Sequence, residues 1–387
     1  MVNINSYDVV IIGGGISACV FASIHIRNGF NGRIAIIESG RSLGGRSSTR
    51  NSLSNKGWQL NHGSPNLNIC NTTKNKLLKN FIQELLDKSI IQLDSSQLIE
   101  LNEDSNFNAK VNSVFYNGNN YISSSSMSEL SEKIISLNNF KNQIDFCFEN
   151  FIIDLEFKNN HWLLTSKNGN KYKSNFLVCS SNLLLHKRCL DILKIHQIPI
   201  RKAIPINREN KIDSIINLVN NQGYIQRLTF LIYTNSSYSY KDNYLKKYRY
   251  FLLNNFLEDN FKFERIIFQK QKNNNLGIVI HTRNINLIND YLKSKNQYQF
   301  KKNLLLKFNK LFDKNPYINQ LLDFEDISIM RWRASQPYGK GIPEYLQLCS
   351  NYKIGFCGDW FDTEGFGRIE GAILSALNLA DKVNSLN

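Results

Sequence analysis

The chain has 387 residues, of which 42% are hydrophobic, and a formal net charge of +15 at pH 7. This length exceeds one small core and the apolar content argues against disorder, so we expect two domains, or one domain with a large insertion. Lysine and arginine are spread along the chain rather than gathered in a block or tail. The charge therefore predicts a solvated surface and no nucleic-acid partner.

Seven cysteines lie far apart, without a C-x-x-C pair or a histidine at metal-ligand spacing. This usage predicts a reducing compartment and no metal site. The apolar stretch at residues 9–24 follows an acidic residue, Asp8, has no lysine or arginine upstream and contains three glycines. These features argue against a signal peptide and a membrane span, so we expect a cytoplasmic protein.

The first predicted elements form a strand, turn, helix and strand in succession. A short apolar run at 8–12 is typical of a buried strand, and three glycines follow it. A helix is predicted over 16–28, with Gly29 as its stop, and a second buried strand over 33–37. This order is that of a nucleotide-binding βαβ unit.

The turn of this unit carries the pattern G-x-G-x-x-A, made by Gly13, Gly15 and Ala18. The first glycine makes a tight turn, the second lets the backbone approach a pyrophosphate, and the small third residue packs helix on strand. The helix then begins at Ile16 and Ser17, whose free N–H groups would face the anion. The pattern predicts a dinucleotide site.

Two further features follow the second strand. Glu38, with Ser39 beside it, lies where a carboxylate is expected to accept the hydroxyls of an unphosphorylated adenosine ribose. Gly44 and Gly45 would let the backbone pass close to the cofactor, and Arg46 would place its guanidinium on the pyrophosphate or near a flavin. A plain NAD dehydrogenase has no need of this second glycine pair, so the pattern favours FAD.

The middle of the chain is predicted to contain strands at 146–157, 162–166 and 176–179. Ser126 and Glu129 form a capping box, which predicts that a helix starts there, ahead of Leu130. From about 186 to 320 glycine becomes rare, while Asn, Lys, Tyr and Phe become frequent. We interpret this change as a second domain, with a strand at 276–282 and an amphipathic helix at 300–312.

The last predicted elements are a strand at 354–357 and a helix from about Ile369. Gly358 and Asp359 follow the strand, and Asp359 could accept a ribityl hydroxyl or act as a surface carboxylate or cap. The first turn of the helix would place its dipole against a flavin pyrimidine through three residues: Glu370, Gly371 and Ala372.

These segments together resemble the FAD-binding amine-oxidase-like superfamily, and within it the renalase-like branch. The resemblance rests on GGGISA…E…GGR near the beginning, GDW…GRIEGAILSA near the end, RWRAS at 331–335 and LGIVIHTRNINL from 276. GWQLNHGSP, 57–65, resembles a segment beside the isoalloxazine, with Asn61 and Ser64 where Asp and Ala are usual. Residues 183–275 hardly match.

The resemblance implies an α/β fold: a Rossmann-like FAD-binding domain with a parallel sheet, and a smaller α+β substrate domain with an antiparallel sheet. We place the first domain at 1–66, 105–185 and 325–387, and the second at 67–104 and 186–324. It also implies that FAD binds non-covalently. The residues expected to bind it, besides those named above, are Gly63 and, through backbone contacts to adenine, Phe151 or Ile152.

The implied activity is hydride transfer from a small reduced substrate, a dihydronicotinamide isomer or an amine, to flavin N5, with O2 or another acceptor reoxidising the flavin. Trp332 and Arg333 are candidates near the flavin, as an aromatic wall and an anion partner, or else a core tryptophan and a structural arginine. His62 could lie near the ring edge. A carotenoid desaturase or isomerase, and a flavin- or nucleotide-binding regulatory module, remain as alternatives.

Overall fold

The computed structural model describes residues 4–51, 58–102, 107–108, 117–137, 142–237, 242–271, 274–315, 318 and 324–386. The strands are β1 (Ile4–Ile12), β2 (Ile34–Ile37), β3 (Thr49–Asn51), β4 (Gln59–Asn61), β5 (Leu67–Cys70), β6 (Ile91–Leu93), β7 (Gln97–Leu101), β8 (Phe107–Asn108), β9 (Gly118–Ser123), β10 (Ile144–Cys147), β11 (Ile152–Lys158), β12 (His161–Ser166), β13 (Lys171–Cys179), β14 (Gly223–Ser237), β15 (Tyr248–Leu253), β16 (Arg265–Lys270), β17 (Asn275–Thr282), β18 (Phe324–Tyr338), β19 (Leu348–Cys349) and β20 (Ile354–Phe356). The helices are α1 (Ile16–Arg27), α2 (Lys76–Asp87), α3 (Glu129–Ser136), α4 (Arg188–Leu193), α5 (Pro199–Ala203), α6 (Asn210–Asn221), α7 (Asp242–Lys247), α8 (Asn255–Phe261), α9 (Ile285–Lys293), α10 (Gln297–Phe312) and α11 (Ile369–Asn384).

The first large sheet contains the predicted parallel strands. Its order is β10-β2-β1-β13-β12-β11, and β20 pairs with β13. The neighbours β10, β2, β1, β13 and β20 run parallel, whereas β11, β12 and β13 form antiparallel pairs. The carboxyl ends of β1, β2, β13 and β20 therefore meet at one edge, where α/β proteins bind their ligands.

Both faces of this sheet are covered, as the apolar runs of β1 and β2 predict. Successive residues of β1 point to opposite faces, so that Val9 and Ile11 join one core and Val10 and Ile12 join the other. The first core contains α1, α2, α3 and α11, and the second contains α5 and α6. The sheet is thus the middle layer of a Rossmann-like domain.

The second large sheet has the order β18-β14-β17-β16-β15-β7-β8. All of its pairings are antiparallel except that of β15 with β7. One face packs on α8, α9 and α10, and the other packs on Trp58 and on Leu60 of β4. The two domains of the predicted α/β class, one with a parallel sheet and one with an antiparallel sheet, are both present.

The domain boundaries differ from those predicted. Residues 67–93, expected in the substrate domain, carry apolar side chains that join the first core, whereas β7, which belongs to the same predicted segment 67–104, joins the second sheet. Residues 186–221 likewise pack on the first sheet through α5 and α6. Conversely, β18 belongs to the second sheet although we assigned 325–338 to the FAD-binding domain. Amphipathic patterns show that a face is buried but not which sheet covers it.

None of the helices in the described part of the chain combines the length and apolar character that crossing a bilayer requires.

Candidate functional site

A cavity of about 1060 Å³ lies between the carboxyl edge of the parallel sheet and the second sheet. This volume is at the upper end of the range of about 300–1,000 Å³ for small-molecule and cofactor sites. The first domain contributes the glycine turn, Glu38 and Asp359, and the second contributes side chains of β14, β17 and β18. The cavity is therefore large enough for a dinucleotide and has walls from both domains.

Most of the predicted cofactor residues line this cavity. They are Gly13, Gly15, Ile16, Ser17, Glu38, Ser39, Gly44, Gly45, Arg46, Gly63, Ser64, Phe151, Ile152, Asp359, Ile369 and Ala372, together with Trp332. Six predicted residues do not line it: Ala18, Asn61, Arg333, Gly358, Glu370 and Gly371.

The glycine turn shows two different requirements for glycine. Gly13 has φ +101°, and a Cβ there would lie 2.6 Å from Oγ of Ser180. Gly15 has φ −78°, and a Cβ there would meet no atom within 4 Å, so the space beside it belongs to the cavity. No side chain caps α1, so the N–H groups of its first turn are available to an anion.

Glu38 is held at the cavity by backbone donors. Its carboxylate accepts the N–H of Gly14 at 2.7 Å and the N–H of Gly40 at 2.6 Å, and the Ser39 hydroxyl donates to it at 3.0 Å. A carboxylate has about four lone-pair sites, so acceptor capacity remains for a ribose hydroxyl. The turn therefore fixes the orientation of Glu38 before any ligand binds.

The second glycine pair contacts the first turn directly. Gly44 donates its N–H to the carbonyl of Gly14 at 2.9 Å, and a Cβ on Gly45 would lie 3.2 Å from Cα of Gly15. The two glycine segments thus form one continuous backbone wall of the cavity.

Arg46 follows this wall and makes a bidentate ion pair with Asp359. Its Nη1 donates to Asp359 Oδ2 at 2.7 Å and its Nη2 donates to Oδ1 at 2.5 Å. Burial opposes the charge of Arg46, but Asp359 offsets this and raises the pKa of the guanidinium. The sequence placed each residue on the cofactor separately, whereas the structure pairs them at the cavity wall.

Glu370 and Gly371 of α11 do not line the cavity. Glu370 is fully buried and accepts hydrogen bonds from Arg368, from the hydroxyl of Thr73 and from the N–H of Cys70. A Cβ on Gly371 would collide with the carbonyl of Gly365. Both residues therefore secure the start of α11, while its neighbours Ile369 and Ala372 reach the cavity.

On β18, successive side chains take opposite directions. Trp332 lines the cavity, stacks on His62 with centroids 5.3 Å apart, and donates its indole N–H to Thr229 at 3.2 Å. Arg333 is exposed and lies outside the cavity lining. Alternation along a strand separates two residues that the sequence suggested as one pair.

The segment 61–64 is anchored to both domains. Asn61 exchanges backbone hydrogen bonds with the amide of Gln269, and its own amide oxygen accepts from Thr49 and from the N–H of Met127. A Cβ on Gly63 would collide with the carbonyl of Arg46. Asn61 thus positions the segment, and Gly63 and Ser64 reach the cavity.

Several cavity residues carry no local sequence signal. Arg227 of β14 makes a bidentate ion pair with Glu264, with both distances 2.7 Å, and donates to the hydroxyl of Ser335 at 2.7 Å. The Arg46 side chain reaches the carbonyl of Ser335 at 3.3 Å. Ser335 therefore links the ion pairs of the two domains, which lie far apart in sequence.

His281 of β17 is a buried base in the same wall. Its Nδ1 accepts from Nε of Arg265 at 2.7 Å, so Nε2 carries the proton and donates to the carbonyl of His62 at 3.1 Å. Burial, together with the charge of Arg265, lowers the pKa of His281 well below its usual value. Burial and the charge of Arg50 lower the pKa of His62 to about 4. Both imidazoles are neutral at pH 7.

We expect His281 to stay neutral, with its proton on Nε2, when the pH falls through the range where a free histidine takes up a proton, because burial lowers its pKa. The measurement is ¹⁵N NMR of histidine-labelled protein, with a His281→Asn variant to assign the signals. A midpoint at or above the ordinary value near pH 6.5 would contradict the geometry. Because the unfolded histidine takes a proton near pH 6.5, this residue contributes stability that is present above that pH and is lost as the pH falls.

Within the described residues, no group of three or more His, Cys, Asp or Glu side chains is arranged to hold a metal ion.

Comparisons with known proteins agree with this geometry. Residues 11–85 match the model of the NAD(P)-binding Rossmann-like domain. A cyclohexylamine oxidase from Brevibacterium oxydans superposes with a TM-score of 0.66 at 11% identity, covering 98% of this chain and 99% of the other. A putrescine oxidase solved with putrescine gives 0.64 at 9% identity, covering 99% and 100%.

The chain therefore shares its fold with these two oxidases. In this amine-oxidase-like fold the agreement extends over both sheets, because nearly the whole of each chain is covered. No curated protein matches the sequence.

Proposed function

We propose that the protein is an FAD-dependent oxidoreductase of the amine-oxidase-like kind, which takes a hydride from a small polar reduced substrate. The observation that carries this proposal is a single cavity that runs from an uncapped helix N-terminus to a wall of the second sheet. FAD would bind non-covalently in this cavity, and dioxygen or another acceptor would reoxidise it.

The residues at the parallel sheet fit the ADP half of FAD. The open space beside Gly15 admits a pyrophosphate at the start of α1. Glu38 keeps acceptor capacity for the adenosine ribose, and its backbone partners hold it in place. Phe151 and Ile152 line the adenine end, where Asn150 donates its N–H to the carbonyl of Glu38 at 3.0 Å. The contacts of a 2′-phosphate with this carboxylate would be repulsive, which favours FAD over NADP.

The remainder of the cavity fits the flavin half. Trp332 and Ala334 of β18 and Thr229 of β14 form one wall, and Ser64 and Ile369 lie on the first domain. The His62 ring is stacked on Trp332, which suits a place in the wall around the flavin ring.

When bound, FAD supplies the group that accepts a hydride and passes electrons to a second acceptor. The chain itself binds, orients and shields the reactants. Trp332 fixes the plane of the wall because stacking on His62 and the hydrogen bond to Thr229 hold its indole. The neutral His281 donates its Nε2–H to the backbone carbonyl of His62, so we assign it to holding the wall and not to general acid catalysis.

The side chains that the second sheet contributes to the cavity indicate the substrate class that we propose. Charged side chains, among them Arg227, Glu264, Arg265 and Glu100, reach the cavity from this sheet. Such a surface suits a polar molecule, and a dihydronicotinamide isomer, as in the renalase-like branch, or an amine is the proposed substrate. A carotenoid desaturase or isomerase would need a long apolar tunnel, which these charges disfavour.

The proposed site of action is a reducing compartment such as the cytoplasm. No disulfide joins any of the seven cysteines, and six of them are buried.

The test is a visible spectrum of the purified protein, followed by anaerobic addition of dihydronicotinamide isomers and of amines. Flavin absorption that bleaches with one donor class would support the proposal and name the substrate class. A colourless protein that cannot be reconstituted with FAD would refute it. Bound flavin that no donor reduces, combined with salt-sensitive RNA retention, would favour a regulatory module.

A further inference from the structure

Arg188, the first residue of α4, brings a guanidinium to the cavity wall from a segment that the sequence analysis left without a function. Its Nη2 donates to the amide oxygen of Asn182 at 2.7 Å, and its guanidinium lies over the ring of Tyr224, 4.1 Å from the centroid. Its Nη1 is buried and finds no hydrogen-bond partner among the described residues. Buried donors of this kind normally have a partner.

The other arginines on this wall are already matched. Arg46, Arg227, Arg283 and Arg368 each form an ion pair with a carboxylate, and Arg265 donates to His281. Arg188 makes no salt bridge within the described ranges of the chain, and its burial lowers the pKa of the guanidinium. It therefore supplies a positive charge that forms no ion pair with a carboxylate of the described residues.

The position of this charge is tied to the glycine turn. Asn182, which holds Arg188, lies two residues after Ser180, and the Ser180 hydroxyl donates to the carbonyls of Ile12 and Gly13 at 3.0 and 3.1 Å. Arg188 is also close enough to Arg46 and Asp359 to be affected by their charges. It thus lies at the edge where β1, β13 and β20 end.

We propose that Arg188 is a binding residue for the pyrophosphate of the cofactor. This inference rests on the proposed function. The pyrophosphate brings two negative charges, and the charge of Arg46 is already matched by Asp359. The start of α1 and the guanidinium of Arg188 remain to offset the anion. The planar guanidinium of Arg188, whose Nη1 has no partner among the described residues, also has a donor geometry that suits a phosphate.

The test compares Arg188→Met, Arg188→Lys and a matched control, Lys187→Met. Lys187 is exposed, lies next in the chain and is absent from the cavity lining, so the control removes one positive charge nearby. The dissociation constant for FAD is measured on apo-protein by quenching of flavin fluorescence, at low and high salt. Thermal unfolding of each apo-protein is measured in parallel.

We expect Arg188→Met to weaken FAD binding by about ten- to a hundredfold, because a charge-assisted hydrogen bond to the pyrophosphate is lost. Arg188→Lys should lose less, and Lys187→Met should bind as the unmodified chain does. The salt dependence of binding should shrink in Arg188→Met. The melting temperature of its apo-protein should stay equal or rise, since a buried charge without a carboxylate is removed.

Each outcome supports or overturns the inference. If Arg188→Met binds FAD as tightly as the control, the inference is wrong, and a raised KM in that variant would place the guanidinium on the substrate instead. If both the melting temperature and FAD binding fall together, the residue is structural. If the unmodified chain does not bind FAD, the proposed function fails first.

Discussion

Replacing Gly15 with valine is expected to abolish cofactor binding and to leave the fold intact. The backbone at Gly15 is extended, with φ −78° and ψ 178°, so valine can adopt it without strain. Its Cβ would enter open space, and that space is where the proposed pyrophosphate approaches the backbone. We expect FAD affinity to fall by more than about a hundredfold, equivalent to ~2.8 kcal/mol. Fluorescence quenching by the apo-protein and its urea denaturation curve measure the two effects.

The contrasting variant is Gly13→Ala. At Gly13 the backbone has φ +101° and a Cβ would lie 2.6 Å from Oγ of Ser180, so the smaller substitution should destabilise the apo-protein by about 1–3 kcal/mol. If Gly15→Val destabilises the apo-protein as much as Gly13→Ala does, or binds FAD normally, the assignment of the space beside Gly15 is incorrect.

Replacing Arg227 with methionine should lower the stability of the apo-protein by about 3–5 kcal/mol. Arg227 is 6% exposed and forms a bidentate ion pair with Glu264, so the variant leaves a buried carboxylate without its cation. Burial alone would raise the pKa of Glu264, but hydrogen bonds from Arg227 and the charge of Arg265 hold it well below its usual range. Urea denaturation at pH 7 measures the loss.

Two further variants separate the pair from its surroundings. Arg227→Met combined with Glu264→Met should recover most of the stability, because no uncompensated charge remains. In the unmodified protein, the contribution of Glu264 is present above the unfolded pKa near 4.5 and is lost as the pH falls further. Glu264→Gln should remove that part of the acid dependence. A loss below about 1 kcal/mol in Arg227→Met would show that the pair is effectively solvated.

The first βαβ unit could be predicted because its signals are local. The glycine spacing, the apolar runs and Glu38 lie within 31 residues, so their arrangement follows from the geometry of one strand, one turn and one helix. The structure has strands and a helix within one residue or so of the predicted bounds in this unit, apart from an earlier start of β1.

The contacts across the cavity could not be predicted in the same way. Arg46 and Asp359 are 313 positions apart, and nothing in either motif indicates that each carries the partner of the other. Glu370 follows Arg368 by two residues, yet its contact with Thr73 depends on how α11 packs. To predict which of Trp332 and Arg333 reaches the cavity, one must know which face of β18 meets it. The alternation of polar and apolar residues around them does not decide this.

Arg188 illustrates a different limit. It lies in an Asn- and Lys-rich part of the chain where cations are frequent, so its residue type alone carries no information. What distinguishes Arg188 is that it forms no ion pair with a carboxylate of the described residues, and this depends on the residues that surround it in the fold.

The discontinuous first domain has a consequence for synthesis on the ribosome. Its parallel sheet is completed by β20, and α1 packs against α11, whose residues Leu374 and Leu377 share a core with Ala18 and Ala22 of α1. The ribosome therefore synthesises about 350 residues after the glycine turn before α11 can cover that turn's helix. Contacts with such large sequence separation slow folding and prolong exposure of apolar surface. Chaperone dependence during translation, rather than the final stability, should limit the yield of this protein.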